Sequence, residues 1–232
     1  MVIEPFILRR DGWLLGLREA LDEGDDLMAA VNRFALRPLA REEVAVFSLE
    51  LCNNAIDKHF SRFPEEELEK INAMVVGRPL MERHDLRGSL PRGTFFRSHL
   101  HREGERVSVR PEVYVLRTAE NEHFIRNIEG GVYRDTSIGF SFRLPECSIC
   151  TKDLRTCEHV PGQVYGTEAC HFVMRDVVDV IEGSVVPSGS QGTQFLGETR
   201  ARRWNDNDPS YLSDRTDPAD RLRRTLRCWA EE

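Results

Sequence analysis

The spacing of apolar residues divides the chain into a short helical beginning and a longer series of strands. In WLLGLREAL and DDLMAAVNRFAL, apolar residues recur at helical spacing, which predicts two short helices before Pro38. Asp25 or Asp26 can cap the second of these helices. The segment REEVAVFSLELCNNAID alternates from Val44 to Leu51 and is rich in β-branched and aromatic residues, so it predicts the first strand.

A longer helix is predicted in FPEEELEKINAMVVG. Pro64 stands at its first position, three glutamates follow in its first turn, and Leu68 and Ile71 lie on its apolar face. From Val107 onward, three extended stretches follow without a long helical pattern between them: RVSVRPEVYVLRT, HFIRNIEGGVYRDTSIGFSFRL and CHFVMRDVVDVIEGSVV. The pattern therefore predicts a mainly β domain of the α+β class, in the form of a closed or partly open barrel with peripheral helices.

Composition and charge limit the partners and the compartment. The net charge of −7, from 32 Lys and Arg against 39 Asp and Glu, disfavours nucleic acid as a partner. No apolar run approaches the roughly 18 residues of a membrane span, and MVIEPFILRRDGW does not follow the pattern of a signal peptide. We therefore expect a cytoplasmic protein with no membrane contact. The segment from about Glu198 has balanced charge and little periodicity, which is typical of a removable or partner-docking tail.

Cysteines are concentrated in one short segment, CSICTKDLRTCEH. Its C-x-x-C pair and its C-x-H pair supply three thiols and one imidazole: Cys147, Cys150, Cys157 and His159. In a reducing compartment such clusters are typical of metal sites, and four closely spaced ligands close a tetrahedron around Zn²⁺. The sequence therefore predicts a structural zinc site, with Cys170 and His171 as candidate substitute ligands. Cysteines without any metal are the alternative.

Three further residues stand in segments that are well separated along the chain. His84 lies in GRPLMERHD, Ser137 lies in the predicted strand TSIGFSF, and Glu182 lies in the predicted strand VVDVIEGSVVP. Taken singly, each has an ordinary structural explanation, because lone histidines and strand serines are common. Strand alternation places Glu182 on the same face as Val178, Val180 and Ser184, whereas Asp179 points the other way.

Taken together, these segments resemble the prohead serine protease family of tailed bacteriophages, which is related in fold to the herpesvirus assemblins. The resemblance covers roughly residues 43–195 and rests on GRPLMERHD, TSIGFSF and VVDVIEGSVVP, in that order. It implies a barrel of the assemblin type. It also implies that Ser137 is the nucleophile, that His84 is the general base and then the general acid, and that Glu182 orients the imidazole.

The resemblance implies a serine endopeptidase that cleaves capsid or scaffold polypeptides during procapsid maturation, inside the procapsid in the host cytoplasm. The major capsid protein or the scaffold is then the substrate. The resemblance also allows the protease to cleave its own chain. The sequence does not determine the oligomeric state, and it is compatible with an oligomer. Two features depart from the family pattern: the predicted zinc loop at 146–162 is an insertion, and PSGSQG replaces the usual Pro-Ala-Asn ending.

The expected organisation is a helical segment over residues 1–42, a protease-like β domain over 43–195 and a charged tail over 196–232. The rival hypothesis is a non-catalytic, zinc-bearing capsid assembly or scaffold module in which Ser137 and His84 are structural. A zinc-knuckle protein that binds nucleic acid is a third hypothesis, disfavoured by the negative net charge.

Overall fold

The computed structural model describes residues 27–196. The predicted helix in WLLGLREAL, the caps Asp25 and Asp26, and the tail beyond Leu196 lie outside these residues. The described helices are α1 (Leu27–Asn32), α2 (Glu65–Met74) and α3 (Glu122–Glu129), with short 3₁₀ turns at Arg41–Glu43 and Leu154–Thr156.

Strands make up most of the regular structure of residues 27–196, which confirms the mainly β prediction. In chain order they are β1 (Val44–Leu49), β2 (Cys52–Asn53), β3 (Ser61–Arg62), β4 (Pro79–Glu82), β5 (Gly93–Glu103), β6 (Arg106–Leu116), β7 (Thr136–Cys147), β8 (Val164–Tyr165), β9 (Glu168–Ala169), β10 (Phe172–Val185) and β11 (Phe195–Leu196).

One large sheet joins nine of these strands in the order β11, β1, β6, β5, β4, β10, β3, with β2 added to β6 and β7 added to β10. Most neighbours are antiparallel, but β10 runs parallel to β3 and β4. Strands β8 and β9 form a separate small hairpin. An isolated bridge links Asp135, just before β7, with Gln194, just before β11. Closure of the sheet into a barrel stays a prediction.

The longest pairing in the sheet is the antiparallel one between β7 and β10. Its register runs from the Cys147–Phe172 pair at one end to the Thr136–Val185 pair at the other, with irregularities near Val178 and Ile181. Helix α2 packs on β10 and β6 through the buried Leu68 and Ile71. The chain 148–171 that connects β7 with β10 contains the predicted zinc loop.

Two elements differ from the sequence-based expectation. The extended stretch predicted from HFIRNIE is helix α3, because Phe124, Ile125 and Ile128 fall on one helical face and are buried there. Strand β5 was not predicted, and it pairs with β6 through a tight turn at Gly104, whose φ of 59° suits glycine. In addition, Pro64 lies at the N-cap position of α2 and not at its first helical position.

Candidate active site and metal centre

His84 is held beside the end of β10 by an unusual backbone segment. It follows β4, which runs parallel to β10 with Met81 opposite Ser184. Arg83 and His84 both have positive φ angles, 57° and 59°, in the left-handed region that residues with a side chain rarely adopt. Two hydrogen bonds fix them there: Arg83 N donates to Val185 O at 2.9 Å, and His84 N donates to Ser184 Oγ at 3.0 Å. Such strained conformations persist where the surroundings enforce them, often at functional sites.

His84 and Glu182 are in direct contact. The distance from His84 Nδ1 to Glu182 Oε1 is 2.6 Å, with the Glu182 side chain 2% exposed and the His84 side chain 40% exposed. In the tautomer that donates from Nδ1, the carboxylate accepts that proton and leaves Nε2 as a proton acceptor. The pair therefore has the arrangement of a general base with its orienting carboxylate.

The Glu182 carboxylate has a second partner, which the sequence analysis missed. Ser184 is fully buried, and its hydroxyl donates to Glu182 Oε2 at 2.5 Å while accepting from His84 N. Gly139 pairs with Glu182 across the ladder, and a Cβ added there would lie 2.1 Å from Glu182 Oε1. Only glycine leaves room for the carboxylate in this position. A glycine inside a strand often marks such a close approach, and this signal was present in TSIGFSF.

Ser137 lies at the beginning of β7, directly opposite Ser184 in the ladder with β10. It lines the same pocket as His84, a cavity of about 520 Å³. Within residues 27–196, the structure contains no hydrogen bond between the Ser137 hydroxyl and the His84 ring. Hydrogen bonds between nucleophile and base are often long before substrate binds. The structure thus brings Ser137 into the site by strand register and by the shared pocket.

Asp179, the alternative carboxylate on this strand, forms an ion pair with Arg78. Its Oδ1 lies 2.5 Å from Arg78 Nη2. The predicted single face needs one correction: Val180, Glu182 and Ser184 are buried, but Val178 is 39% exposed. The ladder irregularity between Val177 and Asp179 breaks the alternation at that point.

The four residues of the predicted metal site lie together at the other end of β7: Cys147, Cys150, Cys157 and His159. One ligand atom from each lies within 4.8 Å of every other, so the group could bind a metal ion. The donor set suits a metal, since His159 Nδ1 is buried and has no hydrogen-bond partner within the described residues. Such an orphaned buried nitrogen is unusual in proteins and is accounted for when it binds a metal.

The thiols of this cluster differ in their surroundings. Burial raises the pKa of the Cys147 thiol, but backbone N–H groups of Cys150 and Ile149 and the adjacent thiols outweigh it and lower that pKa overall. This favours the thiolate, the form that binds metals. Cys170 stands outside the group of four, and burial, followed by the nearby Cys147, raises the pKa of its thiol to about 12. His171 is also outside the cluster.

The metal cluster and Ser137 are far apart along β7. Cys147 follows Ser137 by ten positions, and none of the four ligands lines the pocket of Ser137. The four ligands leave no open position on a tetrahedral ion. The cluster is therefore suited to holding the loop and not to chemistry at Ser137.

Comparison of the chain with protein-family models, curated proteins and solved structures gives no match. Among the helices of residues 27–196, none combines the length and the apolar character that a membrane span requires. The assignment of function therefore depends on the geometry of the two sites and on the motif resemblance.

Proposed function

We propose that the protein is a serine endopeptidase that works through an acyl-enzyme. The observation that carries this proposal is the buried Glu182 carboxylate bonded to His84, whose ring shares a pocket with Ser137. A buried carboxylate is costly to maintain, and here it binds an imidazole that lines the same pocket as Ser137. Order along the chain and strand register both agree with the roles implied by the resemblance.

The reaction follows from these positions. His84 Nε2 takes the proton from Ser137 Oγ as this oxygen attacks the carbonyl carbon of the scissile peptide bond. Glu182 stabilises the resulting imidazolium through Nδ1. The C–N bond then breaks, His84 gives its proton to the leaving amine, and the acyl group remains on Ser137. Water, activated by the same ring, attacks the ester, and its cleavage restores the Ser137 hydroxyl.

The substrate class is proposed from the motif resemblance alone. It points to capsid or scaffold polypeptides that are cut inside a phage procapsid in the host cytoplasm, with self-cleavage as a related activity. The same resemblance favours a barrel of the assemblin type. The Asp135–Gln194 bridge supports closure, because Thr136 N donates to Thr193 O and Phe195 N donates to Arg134 O on either side of it. Slow amide exchange at Thr136 and Phe195 would be expected of a closed sheet.

Zinc is the metal that we propose for the cysteine cluster. Three thiolates and one imidazole in a closed set are the usual ligands of structural Zn²⁺. When bound, the ion would hold the 147–159 loop folded and supply no step of the reaction.

The decisive experiment is covalent labelling with a small fluorophosphonate, which reacts with activated serines. We expect one adduct on Ser137 in the full-length protein, found by peptide mass spectrometry. Ser137→Ala should remove it, whereas Ser141→Ala, on the same strand but outside the pocket, should leave the label on Ser137. If folded protein takes no label, the rival hypothesis of a non-catalytic, metal-bearing assembly module is favoured, since the metal cluster is independent of the serine.

A further inference from the structure

The pocket shared by His84 and Ser137 has an apolar inner wall. Six side chains form it: Leu51, Phe63, Ile138, Phe140, Phe172 and Met174. Four of them are buried, and the remaining two, Ile138 and Phe140, are partly buried and pack against the main core. The rings of Phe63 and Phe140 lie 4.9 Å apart between centroids. Because Phe140 follows Ser137 by three residues on β7, the apolar wall begins next to the proposed nucleophile.

Charged residues that also line this pocket are open to solvent. Of the described residues that line it, Lys58 and Arg83 are exposed and Asp57 is half-buried, so all three remain in contact with solvent. None of the six side chains of the inner wall is ionisable, so none of them can pair with a charged side chain that enters. An acid or a base would lose its hydration there without compensation, whereas an apolar side chain would gain from leaving water.

The size and the neighbourhood of the pocket suit a polypeptide. A volume of about 520 Å³ exceeds the space of a single side chain and falls within the range of ligand pockets. Beyond the Asp135–Gln194 bridge, β7 pairs along its length with β10 alone among the described strands, so it lies at an edge of the sheet. Edge strands accept extended peptides through main-chain hydrogen bonds, with alternate side chains entering pockets.

We propose that this pocket determines the cleavage specificity: it binds an aliphatic or aromatic side chain next to the bond that Ser137 attacks and excludes acidic and basic ones. This inference rests on the proposed endopeptidase function. It adds a substrate class defined by side-chain chemistry, for which Phe63, Phe140 and Met174 are the specificity-determining residues.

Peptidyl diphenyl phosphonates test the inference directly, because the serine displaces a phenolate from phosphorus and the side chain beside the phosphorus is chosen by synthesis. Four reagents with Leu, Phe, Asp or Lys at that position would be compared on the full-length protein by the rate of Ser137 labelling. We expect the Leu and Phe reagents to react at least roughly ten-fold faster than the other two. Phe140→Ala should reduce this advantage. Phe47→Ala, a half-buried aromatic on β1 outside the pocket, is the matched control and should preserve it.

The outcomes separate the two proposals. If the small fluorophosphonate labels Ser137 but all four phosphonates react at the same rate, the specificity pocket is refuted and the nucleophile stands. If the Asp or Lys reagent is fastest, the pocket is again refuted. If neither class of reagent labels Ser137 in protein with a folded circular dichroism spectrum, the endopeptidase itself is refuted. The comparison of the four reagents uses the unmutated protein. It therefore tests the specificity pocket even if Phe140→Ala does not fold.

Discussion

At the scale of single residues, Glu182 is the centre of a closed set of hydrogen bonds. Its two oxygens bind His84 Nδ1 and Ser184 Oγ, and Ser184 Oγ also accepts from His84 N. Burying a carboxylate is unfavourable unless each oxygen finds a partner, and here both do. Because every member touches the other two, each one fixes the orientation of the others. The His84 ring is thereby directed before any substrate arrives.

Loss of Ser137 or of His84 should abolish proteolysis and leave the fold intact. In the proposed mechanism both act in the proton-transfer step, and removing either member of such a unit typically lowers the rate by about 10⁴ to 10⁶. Ser137→Ala and His84→Ala would be measured for cleavage of a capsid-protein substrate and for thermal unfolding. Retained cleavage by folded Ser137→Ala would exclude it as the nucleophile.

The two carboxylates of β10 should respond differently to neutralisation. Glu182→Gln should lower activity, though less than the loss of Ser137, because His84 loses the charge that stabilises its protonated form. Asp179→Asn should change activity little, because Asp179 forms its ion pair with Arg78 and does not line the pocket of His84 and Ser137. The two variants would be compared by kcat/KM on one substrate. An inactive Asp179→Asn beside a normal Glu182→Gln would mean that a different group, such as a second histidine, orients the ring.

Gly139→Ala should impair catalysis through the carboxylate that it displaces. The added methyl would lie 2.1 Å from Glu182 Oε1, so the side chain of Glu182 must move and its contact with His84 is lost. Ser141→Ala on the same strand is the control, since Ser141 pairs with Asp179 and not with Glu182. We expect a drop in the fluorophosphonate labelling rate at least as large as that of Glu182→Gln. Normal labelling would show that Glu182 is not required in its observed position.

The sequence singles out three residues of the candidate site, and the features that it did not indicate have a physical reason. His84, Ser137 and Glu182 stand out because their neighbouring residues form motifs, and His84 and Glu182 are indeed in contact. The roles of Gly139 and Ser184 depend on which residues face each other across β7 and β10. That register includes two irregularities that no alternation rule anticipates.

At the scale of elements, the hairpin of β7 and β10 carries the proposed active site at one end and the metal cluster at the other. The fold around this hairpin was only partly predictable, because packing between distant residues decides the structure of some short segments. The sequence predicts α2 and β1 through clear periodicity, but HFIRNIE is short and apolar enough to suit either a strand or a helix. The segment forms helix α3 and not a strand, because the helix buries Phe124, Ile125 and Ile128 in the core.

Cys150→Ser should release the metal and lower the melting temperature together, since a metal site forms only in the folded loop and its binding energy stabilises that loop. Native protein should contain one zinc per chain by elemental analysis. Cys170→Ser is the matched control, because Cys170 is buried nearby but stands outside the group of four. It should keep the metal. Loss of zinc from Cys170→Ser would identify Cys170 as a ligand and would revise the Cys₃His set.

At the scale of the whole molecule, the proposed active site is assembled from segments that are distant in sequence. Residues 57–63, His84, the start of β7, the start of β10 and residues 186–191 all meet at one pocket. Only the folded sheet brings them together, so the site should be lost with the sheet in one cooperative transition. The metal loop joins that sheet at the Cys147–Phe172 end of the β7–β10 ladder, so we expect it to open independently.

Removal of the metal from the full-length protein should therefore loosen one region and weaken activity only indirectly. After chelation, we expect faster amide hydrogen exchange within residues 147–171, whereas Val177–Val185 of β10 should retain most of its protection. The β7–β10 ladder continues for ten residues beyond the cluster, so fraying should fade before it reaches Ser137. Fluorophosphonate labelling of Ser137 should slow by a modest factor and recover when zinc is restored. Uniformly faster exchange across the sheet would show that the metal supports the whole fold. Complete and immediate loss of labelling, with β10 still protected, would show that the metal takes part in the chemistry.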